Sequence, residues 1–240
     1  MSRYANGVRF SAAFGWARAA FVKNFLSFIA LSVVVMILQF GQQFAATPFT
    51  ETFSLCIEAS GTGETIDSTA VSSCFESEMG QLLLVILMAA VFVIASFLAT
   101  AGVVRGALYV TLGRRIGFAD TFTGPYFGAF VLTTLLIMVT FVAGLFLFVL
   151  PAIFAILLFQ FAPFFALDRG LSPLQALKSS VGLVRLHWPL AILVLLFSGA
   201  SYLISGLFWG IPTLLFLPLA ALVTAYVYRS LQGETVNPAA

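Results

Sequence analysis

The stretch TFTGPYFGAFVLTTLLIMVTFVAGLFLFVLPAIFAILLFQFAPFFAL, residues 121–167, runs for 47 positions without a charged residue. One membrane crossing needs about 20 apolar residues, so this stretch is long enough for two crossings with a turn near Leu150-Pro151. Residues 186–228 contain no Asp, Glu, Lys or Arg and predict a second pair of crossings, with a turn near residues 209–212. Because lipid cannot satisfy bare backbone groups, all four crossings are expected to be α-helical.

Outward from these stretches, the sequence predicts an all-α, polytopic six-helix transmembrane bundle that occupies residues 1–240 as a single integral membrane domain. Two further uncharged runs supply the first two crossings. Re-entrant hairpins over 127–167 and 188–228 would give the same charge pattern, but their lengths favour full crossings. The predicted spans are residues 25–45, 80–102, 127–149, 151–167, 188–207 and 211–228, with a polar loop at 46–78.

The basic and acidic residues are sorted to opposite sides of this map. All eleven Lys and Arg residues fall on one side, which the positive-inside rule assigns to the cytoplasm together with both termini. The loop at 46–78 contains no Lys or Arg and is predicted to be extracytoplasmic. The basic residues are Arg3, Arg9, Arg18, Lys23, Arg105, Arg114, Arg115, Arg169, Lys178, Arg185 and Arg229, and the carboxylates of the loop are Glu51, Glu58, Glu64, Asp67, Glu76 and Glu78.

The composition agrees with a membrane environment. Apolar residues make up 61% of the chain and charged residues 8%, whereas a soluble domain is about 45–50% apolar and about 25% charged. Membrane lipids are therefore the expected partners, with other membrane proteins as further candidates. No basic arm interleaved with aromatic residues is present, so nucleic acid is not expected as a partner. The first apolar run is too long for a signal peptide and is expected to be retained.

Two segments outside the spans have amphipathic patterns. In residues 8–20 and the adjoining position 21, one helical face is shared by Phe10, Phe14, Ala17 and Phe21. This pattern indicates either an interfacial helix on the inner leaflet or a cytoplasmic extension of the first span.

Residues 172–187 are predicted to form a cytoplasmic amphipathic helix before the fifth span. Ser172 is a good N-cap, Pro173 fits the first helical position, and Gln175 completes a capping box. The predicted apolar face comprises Leu174, Leu177, Val181 and Val184, with Lys178 and Arg185 pointing elsewhere.

Asp168 lies at the inner end of the fourth predicted span. Its carboxylate is expected to pair with Arg169, Lys178 or Arg185 and so to hold the amphipathic helix in place. Asp168, Ser172, Lys178 and Arg185 therefore form a predicted structural motif on the cytoplasmic side. A catalytic role is disfavoured because no second carboxylate lies nearby in the sequence.

The two cysteines, Cys56 and Cys74, both lie in the acidic loop, where disulfides persist if the loop is extracytoplasmic. A bridge between them would stabilise the fold by roughly 3 kcal/mol in the chain-entropy model. No histidine or third cysteine accompanies them, which argues against metal binding. The carboxylates of the loop match no EF-hand spacing and are interpreted as a solvated face.

Polar residues inside the predicted spans are expected to face the interior of the bundle. Gln160 is predicted to hydrogen-bond with Thr134, Thr140 or Ser201, and this role is favoured over contact with a substrate. His187, the only histidine, is predicted to mark the boundary between water and lipid at the start of the fifth span.

None of the predicted spans contains Asp, Glu, Lys or Arg. Ion-coupled carriers usually place ionisable groups at membrane depth, and intramembrane enzymes need clustered acids, histidines or an activated nucleophile. The sequence also lacks the G-x-S-x-G, H-E-x-x-H and Walker A patterns. These absences predict a protein without enzymatic activity, catalytic residues, metal or cofactor.

The stretch PFFALDRGLSPLQALKSS, residues 163–180, leads into a helix start that contains Trp188 and resembles a signature of a broad group of bacterial membrane proteins. This group includes the YciC-like proteins and the membrane domain ahead of some glycerophosphodiester phosphodiesterases. The likeness covers roughly residues 100–233, together with Ala13-Phe-Gly-Trp16 and Lys23-Asn24. It implies a six-helix domain in the bacterial inner membrane, with residues 168–180 in the cytoplasm, and it implies no catalytic residue.

These patterns favour a non-enzymatic integral membrane protein that acts in cell-envelope maintenance or as an accessory or scaffold of a membrane complex. The acidic loop and the capped helix would be its contact surfaces. The alternative is a passive translocator of a lipid or hydrophobic solute that uses the bundle interior around Gln160, Ser198, Ser201 and Ser205. A polar cavity open to one leaflet would favour translocation, whereas a tightly packed bundle would favour a scaffold.

Overall fold

The computed structural model describes residues 9–59, 68–147 and 149–238. In these ranges the chain forms nine α-helices and a short 3₁₀ helix, Ala119–Thr121, and no β-strand. The α-helices are α1 (Phe10–Lys23), α2 (Phe25–Ala59), α3 (Ser68–Thr111), α4 (Phe127–Leu147), α5 (Val149–Phe159), α6 (Ala162–Arg169), α7 (Pro173–Leu186), α8 (Trp188–Leu207) and α9 (Thr213–Leu231).

Six segments of the described chain are long and apolar enough to cross a membrane. The protein is therefore an all-α, multi-pass membrane protein whose helices contact lipid, which confirms the predicted fold class. The second span differs most from its predicted bounds, because it continues past residue 102 to Thr111. The six segments are Phe25–Ala45, Leu83–Thr111, Phe127–Phe146, Val149–Arg169, Trp188–Leu207 and Thr213–Leu231.

The chain divides into two compact units. One unit is Ile37–Ser96, which holds most of α2 and the first part of α3, and the other contains the rest of the chain. Within the first unit, the ring of Phe92 lies against Gly41, where any Cβ would collide with the ring. A glycine at this position lets α2 and α3 approach closely, as small residues do between helices in lipid.

The loop predicted at 46–78 is helical in most of its length, so that prediction is wrong in its secondary structure. Helix α2 continues to Ala59 and α3 begins at Ser68. The polar residues put most of this stretch outside the segments that are apolar enough to span a membrane, but they do not end a helix. The region contains one proline, Pro48, which α2 accommodates, and two glycines, Gly61 and Gly63, which lie in residues 60–67, outside the described ranges.

The fourth span, predicted to be continuous over 151–167, is interrupted. Helix α5 ends at Phe159 and α6 begins at Ala162. The cause is Pro163, which has no N–H to donate and whose ring clashes with the carbonyl four residues earlier, that of Phe159. The preceding turn also lies a little earlier than predicted, because α4 ends at Leu147.

Helix α1 is separate from α2, and Asn24 stands between them. Helix α1 packs against α9 and α8. The ring of Phe14 on α1 lies 5.7 Å from that of Phe197 on α8. The predicted face of α1 is only partly correct, since Phe14 is 40% exposed. The buried residues are Ala13, Ala17, Ala20 and Phe21, so small side chains bring α1 close to its neighbours.

Helix α7 begins with the capping box that the sequence predicted, and this prediction is confirmed. The backbone N–H of Ser172 donates to Gln175 Oε1 at 3.4 Å. Leu174 was assigned to the apolar face but is 65% exposed. The buried face consists of Ala176, Leu177, Ser180, Leu183 and Val184, while Lys178 and Arg185 are exposed as predicted.

Candidate functional site

The ends of α3, α6 and α9 meet at Arg229, which lies near the end of α9. Its Nε donates to the hydroxyl of Thr111 on α3 at 2.8 Å, and its Nη2 donates to Asp168 Oδ1 on α6 at 2.7 Å. The exposed fraction is 7% for the side chain of Arg229 and 17% for that of Asp168. The ion pair is therefore largely shielded from water.

Glu234, just beyond α9, adds a second carboxylate to this cluster. Its Oε2 accepts a hydrogen bond from Arg229 Nη1, and its Oε1 accepts one from Arg169 Nη2 at 2.8 Å. Two arginines and two carboxylates (with Asp168) therefore face one another, and their formal charges cancel. We call Thr111, Asp168, Arg169, Tyr228, Arg229 and Glu234 the Arg229 cluster.

Tyr228 supplies the remaining partner of Asp168. Its hydroxyl donates to Asp168 Oδ2 at 3.2 Å, and its ring is fully buried against that of Phe165, with 4.9 Å between the centroids. The partners predicted for Asp168 were therefore wrong, because both of its observed partners, Tyr228 and Arg229, lie on α9. Those predicted partners were Arg169, Lys178 and Arg185.

The segment that follows α9 docks on the same end of the bundle. The backbone N–H of Asn237 donates to the carbonyl of Thr111 at 3.0 Å, and its Nδ2 donates to the carbonyl of Leu112 at 2.8 Å. Trp16 on α1 donates from Nε1 to the carbonyl of Asn237 at 2.9 Å. Four helices and the C-terminal segment are thus joined by one polar network.

Every charged group of the Arg229 cluster has an oppositely charged partner within the cluster. Such a shielded pair adds little net stability over an apolar contact, but removal of one member leaves an uncompensated charge and costs about 3–5 kcal/mol. The geometry therefore suits the cluster to holding helix ends in one arrangement.

Helix α3 continues to Thr111, beyond the predicted end of the second span at residue 102. The second span therefore contains one basic residue, Arg105. Only 4% of Arg105 is exposed. Its Nη1 donates to the carbonyl of Thr123 at 3.1 Å, its Nη2 donates to the carbonyl of Pro125, and its guanidinium lies 4.2 Å from the ring centre of Phe127. Arg105 thereby fastens the connection between α3 and α4.

The interruption between α5 and α6 leaves backbone groups that α7 satisfies. The hydroxyl of Ser180 donates to the carbonyl of Leu158 at 2.7 Å and accepts from the N–H of Phe161 at 3.2 Å. Gln160 Nε2 donates to the carbonyls of Leu157 at 3.1 Å and Ala191 at 3.0 Å. Non-helical backbone at membrane depth is tolerated where neighbouring side chains satisfy it in this way.

Gln160 does face the bundle, but its partners are backbone carbonyls rather than Thr134, Thr140 or Ser201. Ser201 lies ten residues after Ala191 on α8, which corresponds to about 15 Å along the helix. It lines a small cavity between α8 and α9 with Ser205 and Thr213. The structure therefore places Gln160 and Ser201 at different depths and in different sites.

His187 forms the joint between α7 and α8. Its N–H donates to the carbonyls of Leu183 and Val184, and its own carbonyl accepts from the N–H of Ala191 at 3.1 Å. No ion pair is present at Lys178 or Arg185 within the part of the chain that the structure describes.

Cys56, near the end of α2, is fully buried and is not a free thiol. The side chain of Cys74 lies outside the described residues, so the bridge between Cys56 and Cys74 stays a prediction. Glu51 and Glu76 are exposed on the extended parts of α2 and α3.

The chain is similar to the uncharacterized protein Rv2560 of Mycobacterium tuberculosis (strain ATCC 25618 / H37Rv), with 35% identity over 144 residues, which are 58% of this chain and 44% of that protein. It is also similar to the uncharacterized protein Mb2590 of Mycobacterium bovis (strain ATCC BAA-935 / AF2122/97), with 34% identity over 144 residues and the same coverage. The chain thus spans less than half the length of the curated relatives it matches. No family model and no solved structure matches it.

Sequence reasoning missed the central residues of this site. Arg229 and Glu234 were counted only as charges, and Ser180 and Asn237 were given no role. One signal was available for Arg229, because it ends a run of more than 40 positions without Asp, Glu, Lys or Arg. A basic residue held that close to an apolar helix needs a carboxylate partner.

Proposed function

We propose that this chain is a non-enzymatic membrane protein that acts as an accessory or scaffold of a membrane complex in the cell envelope. The observation that carries the proposal is the length of α2 and α3. Helix α2 has 35 residues, of which 21 form the span, so it extends about 20 Å farther. Helix α3 begins 15 residues before its own span, at Ser68, and extends by a similar distance.

We call these parts of α2 and α3, residues 46–59 and 68–82, the helical extensions. They bear acidic residues, of which Glu51 and Glu76 are exposed, and they contain no Lys or Arg. The helical extensions reach about 20 Å beyond the membrane-spanning segments, so contact with the hydrocarbon core does not account for them. Such extensions suit contact with the polar or basic surface of another protein on that side of the membrane.

The Arg229 cluster and the Ser180 contacts support the same role. They join the helix ends by groups that satisfy one another, which is what a scaffold requires. The resemblance to YciC-like proteins, a group without an agreed activity, stays part of this proposal and adds no chemistry to it.

Photocrosslinking in cells tests the proposed contact surface. A photoreactive amino acid in place of Glu51 or Glu76 is expected to yield discrete adducts with protein. The same amino acid in place of Leu87, which lies in the second span and is 58% exposed, is the matched control and is expected to yield lipid adducts. Equal absence of protein adducts at all three positions would contradict the scaffold role.

The proposal places the helical extensions outside the cytoplasm and both termini inside, in the inner membrane of a bacterial cell. Reporter tags inserted after residue 65 and after residue 115 are therefore expected to report opposite compartments. The physical reason is the exclusion of Lys and Arg from residues 51–78. Tags that report the same compartment would overturn this orientation.

The cavity between α8 and α9 favours the alternative, passive translocation of a lipid or hydrophobic solute. Ser201, Ser205 and Thr213 give it a polar part. Ala191, whose carbonyl accepts a hydrogen bond from Gln160, lies about 15 Å along α8 from Ser201, and the second partner of Gln160 is also a backbone carbonyl. Rapid exchange of fluorescent lipids between leaflets of vesicles that contain the purified protein would favour translocation over the scaffold.

A further inference from the structure

Two of the exposed cations lie on α7 and have no carboxylate near them. Asp168 and Glu234, the acids closest in the sequence, are already engaged by Arg229 and Arg169. Lys178 and Arg185 are exposed and form no ion pair with any residue that the structure describes. The exposed face of α7 therefore keeps an uncompensated positive charge.

Large exposed apolar side chains lie on this face and beside it. Leu174 is 65% exposed on this face, whereas Leu186, at the end of α7, is 78% exposed and lies about 100° around the helix from Arg185. Leu174, Lys178 and Arg185 follow one another at spacings of four and seven residues, so they share one side of the helix. Cations between exposed apolar side chains are typical of helices that lie at a lipid surface.

The connections of α7 place this face at the end of the bundle where the basic residues gather. Helix α6 ends beside the Arg229 cluster, and α8 begins at Trp188, which is 60% exposed. A tryptophan with an apolar ring and a polar N–H is favoured at the boundary between lipid and water. The hydrogen bonds of Ser180 fix α7 against α5 and α6, so its outer face has a defined orientation.

We propose that the exposed face of α7 binds the headgroup phosphates of anionic phospholipids in the adjacent leaflet. Lys178 and Arg185 pair with the phosphates, while Leu174, Leu186 and Trp188 contact the upper parts of the acyl chains. A soluble phosphate would satisfy the two cations but would leave the three apolar side chains in water. A lipid leaflet satisfies both sets of groups at once, which is why the occupant is a lipid.

Quenching of Trp188 fluorescence by brominated lipids tests this proposal. The protein with Trp16→Phe and Trp209→Phe, which retains Trp188, is reconstituted into vesicles of phosphatidylcholine with a minor fraction of brominated phosphatidylglycerol or brominated phosphatidylcholine. Quenching by the anionic lipid is expected to exceed quenching by the neutral lipid. A basic residue near an anionic surface changes lipid affinity about five-fold, so Lys178→Gln with Arg185→Gln is expected to abolish the difference.

Two matched variants complete the experiment. Lys178→Arg with Arg185→Lys keeps both charges and is expected to keep the preference. Arg114→Gln with Arg115→Gln removes two exposed cations that lie outside α7 and is expected to change the preference less than two-fold. Should the tryptophan replacements prevent folding, the same comparison is made as the rise in melting temperature of the full-tryptophan protein when phosphatidylglycerol is added in detergent.

Equal quenching by the two brominated lipids would overturn the proposal, as would a preference that survives the Lys178→Gln, Arg185→Gln substitutions. Inorganic phosphate at millimolar concentration is expected to leave the preference unchanged at constant ionic strength. Loss of the preference with phosphate would show that the face binds a free anion and would overturn the assignment to lipid. None of these outcomes depends on a protein partner, so the proposal can fail while the scaffold role stands.

Discussion

Arg229→Ala is expected to lower the free energy of unfolding by about 3–5 kcal/mol, because it leaves a shielded carboxylate without its counter-ion. Asp168 would keep only the hydroxyl of Tyr228 at 3.2 Å, and Thr111 would lose the donor at 2.8 Å from its hydroxyl. The measurement is unfolding of the purified protein in mild detergent, together with the folded fraction recovered by gel filtration.

Arg169→Ala is the matched control for this variant. Arg169 also pairs with Glu234, but 44% of its side chain is exposed, and exposed ion pairs contribute about 0–1 kcal/mol. The double variant Asp168→Asn, Arg229→Gln removes both charges of the shielded pair and is expected to recover part of the loss. Equal losses from Arg229→Ala and Arg169→Ala would contradict the central role of Arg229.

Ser180→Ala is expected to lower the free energy of unfolding by about 2–6 kcal/mol, because it leaves two buried groups without a partner and each costs about 1–3 kcal/mol. The two groups are the carbonyl of Leu158 and the N–H of Phe161. Detergent unfolding gives the total effect. Hydrogen exchange at the amide of Phe161 gives the local effect and is expected to become faster.

Ser179→Ala, on the neighbouring and less buried position of α7, is the control for this prediction and is expected to change stability by less than about 0.5 kcal/mol. A second comparison uses Pro163→Ala, which restores an N–H and removes the ring that interrupts the span. In that background Ser180→Ala is expected to be less harmful, since the freed backbone groups can bond within a continuous helix. An unchanged loss of stability from Ser180→Ala in the Pro163→Ala background would show that Ser180 does not act through these backbone groups.

The sequence was sufficient to predict six helices long and apolar enough to span a membrane, because lipid leaves the backbone few alternatives. It was also sufficient for the start of α7, where Ser172, Pro173 and Gln175 act over one helical turn. Both predictions depend on properties read from a single segment. The same is true of the separation of basic from acidic residues along the chain.

The sequence was insufficient where contacts join distant segments. Asp168 and Arg229 lie 61 positions apart, and nothing in either neighbourhood identifies the other. The role of Ser180 likewise depends on Pro163, which interrupts a different helix and leaves the backbone groups that Ser180 satisfies. The prediction of a loop at 46–78 was wrong for another reason. It used polarity, which indicates where a membrane span ends, to decide where a helix ends, which depends on helix propensity.

The dependence of residues 158–161 on Ser180 has a consequence for biogenesis. A chain that leaves the ribosome at about 5–20 residues per second completes Ser180 roughly one to four seconds after Phe161. Before Ser180 has been made, the carbonyl of Leu158 and the N–H of Phe161 lack the partner that they have in the folded protein. Residues 158–161 are therefore expected to enter the hydrocarbon together with the helix that carries Ser180 rather than ahead of it.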